Sequence, residues 1–281
     1  MFIDLHIHTN YSDGAFSPEQ TVEHAYKIGL GAISIVDHDT TDGLDQAIRI
    51  GEKNYLEVVP GIELSADALD SKCQEVHILG YFINWKQQAF QNKLTTIREA
   101  RWLRAKKILK KLGKLGLNLS MEDILQYSNI QSVGRLHVAK ALMNKKLTKN
   151  VREAFDKFLS PGRPAYEPKL RVTPQEAIND ILSLGGLPVL AHPLYCIEKD
   201  ELLLKKLVSY GLEGIEVWHP KHNRNSRQYF KDLAQKYNLV STGGSDCHGP
   251  IFNRGPFMGS QHVPYKCLED LQNRLEKKNL T

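Results

Sequence analysis

Apolar positions along the first ninety residues alternate between two rhythms. Short runs rich in β-branched residues, Phe2 to His8, Ala32 to Val36, Glu57 to Ile62 and Val76 to Phe82, predict strands. Between them, Ser17-Pro18-Glu19-Gln20 is a capping box with proline at the first helical position, and it opens a helix toward Ile28. A second helix is expected from Leu44 to Asn54. This alternation of strand and helix predicts a parallel sheet with helices outside it.

The rhythm then changes. From about Leu94 to Lys157 the pattern reads as helix after helix, beginning with a basic stretch from Ile97 to Leu115 and continuing past a second capping signal, Ser120-Met121-Glu122-Asp123. Alternation resumes after the loop Ser160-Pro161-Gly162-Arg163-Pro164. Thr173-Pro174-Gln175-Glu176 opens a helix, and strands are expected at Leu187 to Ala191, Gly214 to Trp218 and Leu239 to Thr242. The pattern predicts an α/β barrel formed by residues 1–93 and 165–281, interrupted by a small helical domain at 94–164. No internal repeat or low-complexity segment is visible.

Composition narrows the class. A chain of 281 residues suffices for one large α/β domain with an embellishment, or two modest ones. The net charge of +5 suits a polyanionic substrate without requiring one. No apolar run approaches a membrane span, and the N-terminus lacks the basic leader of a secretory signal. Cys73, Cys196, Cys247 and Cys267 have no paired spacing and read as thiols of a reducing compartment, so a cytoplasmic location is expected and a cysteine-based zinc site is not.

In parallel α/β barrels, functional side chains gather where strands end, because residues distant in sequence converge there. The expected strands here end in one kind of chemistry. The first carries His6 and His8, with Asp13 in the loop after it. The second ends in Asp37-His38-Asp39, the third in Glu63, and the fourth carries His77. Later strands run into Ala191-His192-Pro193 and Ser245-Asp246-Cys247-His248. Each piece alone has a bland reading: a His-x-His pair is two same-face residues of a strand, Asp37-His38-Asp39 a capping loop, His77 a satisfied core histidine, and Asp246-Cys247-His248 a polar turn. Jointly they place six imidazoles and three carboxylates on one side of one barrel, more ligands than a single ion uses. Imidazole and carboxylate without thiolate suit zinc, manganese or iron. The set therefore predicts two or three divalent ions, with Glu63, central in the order, as the bridging carboxylate.

These pieces resemble the PHP (polymerase and histidinol phosphatase) family of metal-dependent hydrolases. The resemblance rests on Asp4-Leu5-His6-Ile7-His8, Ser12-Asp13-Gly14, Asp37-His38-Asp39, Pro60-Gly61-Ile62-Glu63, Ala191-His192-Pro193 and Gly244-Ser245-Asp246-Cys247-His248, in that order, and covers essentially the whole chain. Within the family the chain is similar to nucleoside 3′,5′-bisphosphate phosphatases and 5′→3′ exoribonucleases, through Glu75-Val76-His77-Ile78-Leu79-Gly80, Gly134-Arg135-Leu136-His137 and the loop around Pro164-Ala165-Tyr166. It implies a distorted (β/α)7 barrel. It also implies a ligand set: His6, His8, Glu63 and Asp246 for one metal, Asp13, His38 and His248 for a second, and Glu63, His77 and His192 for a third.

The basic stretch carries an apolar stripe at Ile97, Ala105, Ile108, Leu112 and Leu115, with Arg101 on it and Arg104 at its edge. Guanidinium groups so placed require an anion, either a structural carboxylate or a substrate phosphate, and the resemblance favours phosphate. Arg135 and His137 are further candidates for substrate binding. Arg98, Lys106, Lys107, Lys110, Lys111 and Lys114 are expected to face solvent. With little aromatic interleaving beyond Trp102 they do not read as a nucleic-acid groove, so no DNA duplex, membrane or obligate protein partner is expected.

The expected reaction is hydrolysis of a phosphate monoester of a nucleotide, such as a nucleoside 3′,5′-bisphosphate, or of the 5′ end of a short RNA. A hydroxide between two ions would attack phosphorus while the arginines clamp the phosphoryl group. Asp39 would orient the ligands, and Asp13, His222 or water would serve as general acid. His219 and His222, in Trp218-His219-Pro220-Lys221-His222, follow a strand end. One alternative is a phosphatase of a small metabolite, histidinol phosphate or a cyclic sugar phosphate. Another is a non-catalytic metal-binding PHP module, which would lack ligands, whereas all nine candidates are present.

Overall fold

Residues 1–67, 75–127, 133–197, 201–250 and 257–280 are described by the computed structural model; Cys73 lies outside them. Eight strands form one sheet: β1 (Phe2–Ile7), β2 (Ala32–Ile35), β3 (Glu57–Asp67), β4 (Glu75–Tyr81), β5 (Leu187–Leu190), β6 (Gly214–Trp218), β7 (Val240–Gly243) and β8 (Val263–Pro264). Their order across the sheet is β7-β6-β5-β4-β3-β2-β1-β8. The helices are α1 (Pro18–Lys27), α2 (Leu44–Lys53), α3 (Gln88–Lys114), α4 (Met121–Leu125), α5 (Arg135–Asn144), α6 (Val151–Ala154), α7 (Pro174–Ser183), α8 (Glu201–Ser209), α9 (Arg224–Lys236) and α10 (Lys266–Asn279). None of the described helices is long and apolar enough to cross a membrane.

The sheet curls until its ends meet. Beyond β7 the chain returns to the end of β1, where Ile7 bridges Cys247 and the His8 amide donates to the Cys247 carbonyl at 2.9 Å. Buried Asp4 fastens the return by accepting from the amides of Ser245 (2.9 Å) and Gly259 (2.8 Å). The result is the nearly closed, distorted α/β barrel that the alternation predicts. Apolar residues of β1 to β5 and β7, among them Leu5, Val59, Leu79 and Val189, form one buried cluster with α10. Tyr81 spans that cluster, its hydroxyl donating to the Leu5 carbonyl at 2.9 Å.

The sheet departs from an all-parallel barrel in two ways. β1–β3 and β5–β7 are parallel sets, but β4 runs antiparallel to both of its neighbours. Only residues 68–74 separate β3 from β4, too few for the crossover that parallel pairing needs. The reversal brings the start of β4 to the mouth, so His77 arrives there from the amino end of its strand. Glu63 likewise lies inside β3, which continues to Asp67. The eighth strand runs antiparallel to β1 and, two residues long, is too short to show a periodicity.

The predicted caps form. Ser17 and Gln20 exchange bonds of 3.2 and 2.9 Å, and Ser120 with Asp123 and Thr173 with Glu176 do the same. Between β4 and β5 the described residues form the helices α3 to α6, followed by a π-helical turn at Phe155–Leu159. α3 starts at Gln88, earlier than the expected Leu94, and joins two cores. Phe90 and Leu94 pack in the cluster that includes Ile178 and Ile181 of α7, whereas Ala105, Ile108 and Leu112 pack with Ile124, Val138 and Leu142. Leu115, expected on the apolar stripe, is exposed, because the helix ends at Lys114 and the chain turns away at Gly116 with φ 78°. Arg98 and Lys111, expected to face solvent, pair with Asp42 and Glu167 at 2.7 Å each.

The barrel closure sets a first prediction. A Cβ on Gly244 would lie 2.4 Å from the backbone nitrogen of His6. Gly244→Ala should therefore push β1 away and lower stability by about 1–3 kcal/mol, the usual cost of overpacking. Thermal denaturation checks this, and a melting temperature equal to wild type refutes it.

Candidate metal centre and phosphate pocket

All nine residues singled out for metal binding meet at the barrel mouth. His6 Nε2, His8 Nε2 and Glu63 Oε2 form a compact group able to hold an ion, at 3.2 (His6–His8), 3.4 (His6–Glu63) and 3.2 Å (His8–Glu63), and Asp246 Oδ1 lies 3.5 Å from His6 and 3.3 Å from His8 on its side. An ion bonded at roughly 2.1 Å to four tetrahedral ligands would hold them roughly 3.4 Å apart. Asp13 and His248 approach to 3.2 Å, and with His8 and His38 they form a second group able to hold an ion. Glu63 joins the groups. Its Oε2 faces His38 Nδ1 at 3.3 Å, and its Oε1 meets His77 Nδ1 at 2.9 Å and His192 Nε2 at 3.1 Å. Three buried atoms of the set, His8 Nδ1, Asp13 Oδ1 and His38 Nδ1, have no hydrogen-bond partner among the described residues. Lone pairs crowded in this way fit divalent ions.

The electrostatics agree with that chemistry. Burial alone would raise the carboxyl groups, but the surrounding imidazoles hold Asp13, Glu63 and Asp246 well below the usual carboxylate range. Burial pushes His38 down to about 4, leaving its ring neutral. For His8 and His77 burial opposes a charge, yet the adjoining carboxylates push both up to about 10.

The other candidates take distinct positions. Asp39 turns toward the insertion, where its carboxylate binds Arg101 and accepts from the Ser65 amide at 3.1 Å. The structural-carboxylate alternative for Arg101 is thus realised in this structure. Arg104 Nε donates to the Glu167 carbonyl at 2.8 Å, and burial together with the charges of Arg135 and Arg101 lowers its guanidinium to about 10. Arg135 lies over the rings of Phe155 and Tyr166, 5.8 and 5.7 Å from their centres. His137 is buried, its Nδ1 accepting from the Gly134 amide at 3.1 Å. These side chains enclose a cavity of about 310 Å³, with Asp13, His38 and His77 on its floor and Arg101, Arg104 and Arg135 on its wall. His222 is buried behind His219: its Nδ1–H donates to the Val217 carbonyl at 2.8 Å, and burial pushes it down to about 4. Asp13 is thus held ionised, and the Nδ1–H of His222 is taken up by the Val217 carbonyl.

Three features were not singled out from sequence. Glu216, in the middle of β6, accepts from His6 Nδ1 at 3.0 Å and from the His192 amide at 2.7 Å. A lone carboxylate inside the apolar run Gly214-Ile215-Glu216-Val217-Trp218 was an available signal, because such groups are rarely buried without a task. Asp37 accepts from the Thr9 amide (2.7 Å) and from the hydroxyls of Thr9 and Ser12 (2.5 Å each), which fixes the loop that carries Asp13. Lys169, another cation of the cavity, pairs with Asp67 and Glu75 at 2.9 and 2.6 Å, and nothing in its local sequence marks it.

The barrel with its mouth of imidazoles and carboxylates defines a metal-dependent phosphoesterase. The PHP domain model matches residues 4–161, and the chain belongs to the PHP family. It is 33% identical to a phosphoribosyl 1,2-cyclic phosphate 1,2-diphosphodiesterase of Eggerthella lenta, over 92% of this chain and 98% of that one. It is 29% identical to a 3′,5′-nucleoside bisphosphate phosphatase of Chromobacterium violaceum (88% and 87%) and 31% identical to the 5′-3′ exoribonuclease Rnm of Salmonella typhimurium (88% and 85%). Among solved structures it resembles an amidohydrolase from Chromobacterium violaceum with bound sulfate and no metal. That match has a TM-score of 0.82 and 28% identity, covering 98% of this chain and 97% of that one.

Because the imidazoles of His8 and His77 hold protons up to about pH 10 beside their carboxylates, ion binding must displace those protons. Adding zinc(II) to metal-free protein at pH 7 should release protons, and apparent affinity should weaken as pH falls, by about tenfold per unit for each proton displaced. Titration in weakly buffered indicator solution measures the release. A pH-independent affinity would contradict it.

Proposed function

We propose that this phosphoesterase removes a phosphate monoester from a nucleotide carrying a second phosphate, such as a nucleoside 3′,5′-bisphosphate, or acts at the 5′ end of a short RNA. The observation that carries the reading is the guanidinium cluster above the metal ligands. Asp39 neutralises Arg101, while Arg104 and Arg135 repel one another across the same cavity. Such a wall is stabilised by an anion bound in the cavity, and a second phosphate of the substrate would supply it. Relatives named for a nucleoside bisphosphate and for RNA ends, and a related structure that holds sulfate, support it.

In this reading His6, His8, Asp13, His38, Glu63, His77, His192, Asp246 and His248 would hold two or three ions of manganese, zinc or iron, and Glu63, which faces ligands of every group, would be shared between them. When bound, the ions supply Lewis-acid charge at the phosphoryl oxygens and a nucleophile available at neutral pH. Arg104 and Arg135 bind the second phosphate, and His137 completes their wall. Asp39 holds Arg101 in place. Residues 94–164 act as a capping domain that limits substrate size. The leaving oxygen takes its proton from water, since Asp13 is held ionised and the Nδ1–H of His222 is held by the Val217 carbonyl. A cytoplasmic enzyme acting on soluble phosphate esters, without a DNA duplex, a membrane or an obligate protein partner, fits this design.

Purified protein with Mn²⁺ should release phosphate from adenosine 3′,5′-bisphosphate. No release there, and none from short 5′-phosphorylated RNA, overturns the proposal. Arg104→Ala should raise KM for the bisphosphate by about 10–100-fold, the range of one lost charge-assisted hydrogen bond. It should leave hydrolysis of p-nitrophenyl phosphate, which has no second phosphate, within about twofold of wild type. A second reading, hydrolysis of a cyclic sugar phosphate, is favoured by the Eggerthella lenta relative. Turnover of ribose 1,2-cyclic phosphate 5-phosphate, with no turnover of the bisphosphate, selects it.

A further inference from the structure

We propose that Glu216 is the positioning residue of the metal centre, setting His6 and His192 in the orientation in which both can ligate. The inference rests on the reading that these two histidines are ligands. Glu216 is fully buried in β6, and its two oxygens act on two different elements. Oε1 lies 3.0 Å from His6 Nδ1 on β1, and Oε2 accepts from the backbone N–H of His192, just beyond β5, at 2.7 Å.

The first bond selects a tautomer. An ionised carboxylate only accepts, so the proton of His6 is drawn to Nδ1. Nε2 is then the nitrogen left for an ion, and it is the one that faces His8, Glu63 and Asp246 at 3.2 to 3.5 Å. A carboxylate behind a metal-binding imidazole also raises its basicity as a ligand.

The second bond acts on backbone. His192 has φ 28° and ψ 60°, a conformation that a side chain bearing a Cβ rarely adopts, and proline follows it. A strained residue of this kind persists where its surroundings over-determine it. The Glu216 oxygen supplies one such restraint, and the turn it secures delivers His192 Nε2 to Glu63 Oε1 at 3.1 Å. Glutamine at 216 would have one oxygen for two N–H groups. Either His6 or His192 would then face an amide NH2.

The test uses the full chain loaded with zinc(II) alone. Competition with a chromophoric chelator should show zinc affinity weakened by about 10–100-fold in Glu216→Gln, the range for lost outer partners of a ligand. The circular dichroism spectrum should stay that of wild type. Glu216→Asp keeps two acceptor oxygens on a shorter stem and should recover part of the loss. In zinc-loaded protein labelled with 15N-histidine, wild-type His6 should carry its proton on Nδ1, and that proton resonance should move upfield in Glu216→Gln. Affinity within about twofold of wild type in Glu216→Gln, or a wild-type His6 that ligates through Nδ1, overturns the proposal. If Glu216→Gln does not fold, Glu216→Asp and the wild-type resonance decide it. His6→Ala separates the two levels. Zinc lost there but kept in Glu216→Gln refutes the positioning role alone, whereas zinc kept in both refutes the ligand assignment as well.

Discussion

A single buried carboxylate, that of Glu63, is the point from which the barrel mouth is organised. Its two oxygens face imidazoles from β1, β4, the loop after β2 and the turn after β5. An ionised carboxylate removed from water costs several kcal/mol unless positive charge compensates it. The demand is met from the strands on either side of β3, β1 and β2 on one side and β4 and β5 on the other. The backbone follows the same logic: the Asp39 amide donates to the Glu63 carbonyl, and the Glu63 amide to the Asp37 carbonyl. Those bonds hold the loop that carries His38 beside the carboxylate it faces.

The pocket above extends this electrostatic design to the chain between β4 and β5. One helix, α3, starts in the barrel's packing, passes Arg101 over the metal loop and ends in a core of its own. The pairing of Arg101 with Asp39 connects the wall of the cavity to the residue next to His38. It also distinguishes the arginines, since Arg101 meets a carboxylate whereas Arg104 and Arg135 bond to the carbonyls of Glu167 and Leu159.

Most of the barrel was legible because buried parallel strands and capped helices carry strong local signals. The runs at Ala32 and Leu187 and the capping boxes at Ser17 and Thr173 are of that kind. The direction of β4 was less so, because polarity does not appear in periodicity; only the short spacer between Asp67 and Glu75 betrays it. The imidazoles and carboxylates other than Glu63 could be found since they lie near strand ends or in the loops just beyond them, where their types are unusual. Arg101 was visible as a charge on an apolar stripe, but its partner was not, because nothing in sequence spacing brings residue 39 to residue 101. Glu216 was less legible for the opposite reason: it is one charge in the middle of a strong apolar strand, away from the strand ends where the other ligating types gather.

The place of the helical stretch has an evolutionary meaning. It is threaded between β4 and β5, which are neighbours in the sheet and antiparallel. A connection between adjacent antiparallel strands needs only a turn, so what lies there is free of topological duty. Its length can change at small entropic cost, because closing a longer loop is penalised only logarithmically. A lineage with this plan can exchange the helical wall of the cavity without relaying one strand of the floor beneath it. Relatives named for a cyclic diester, a bisphosphate and RNA ends, all aligned over most of this chain, are the diversity such a plan permits.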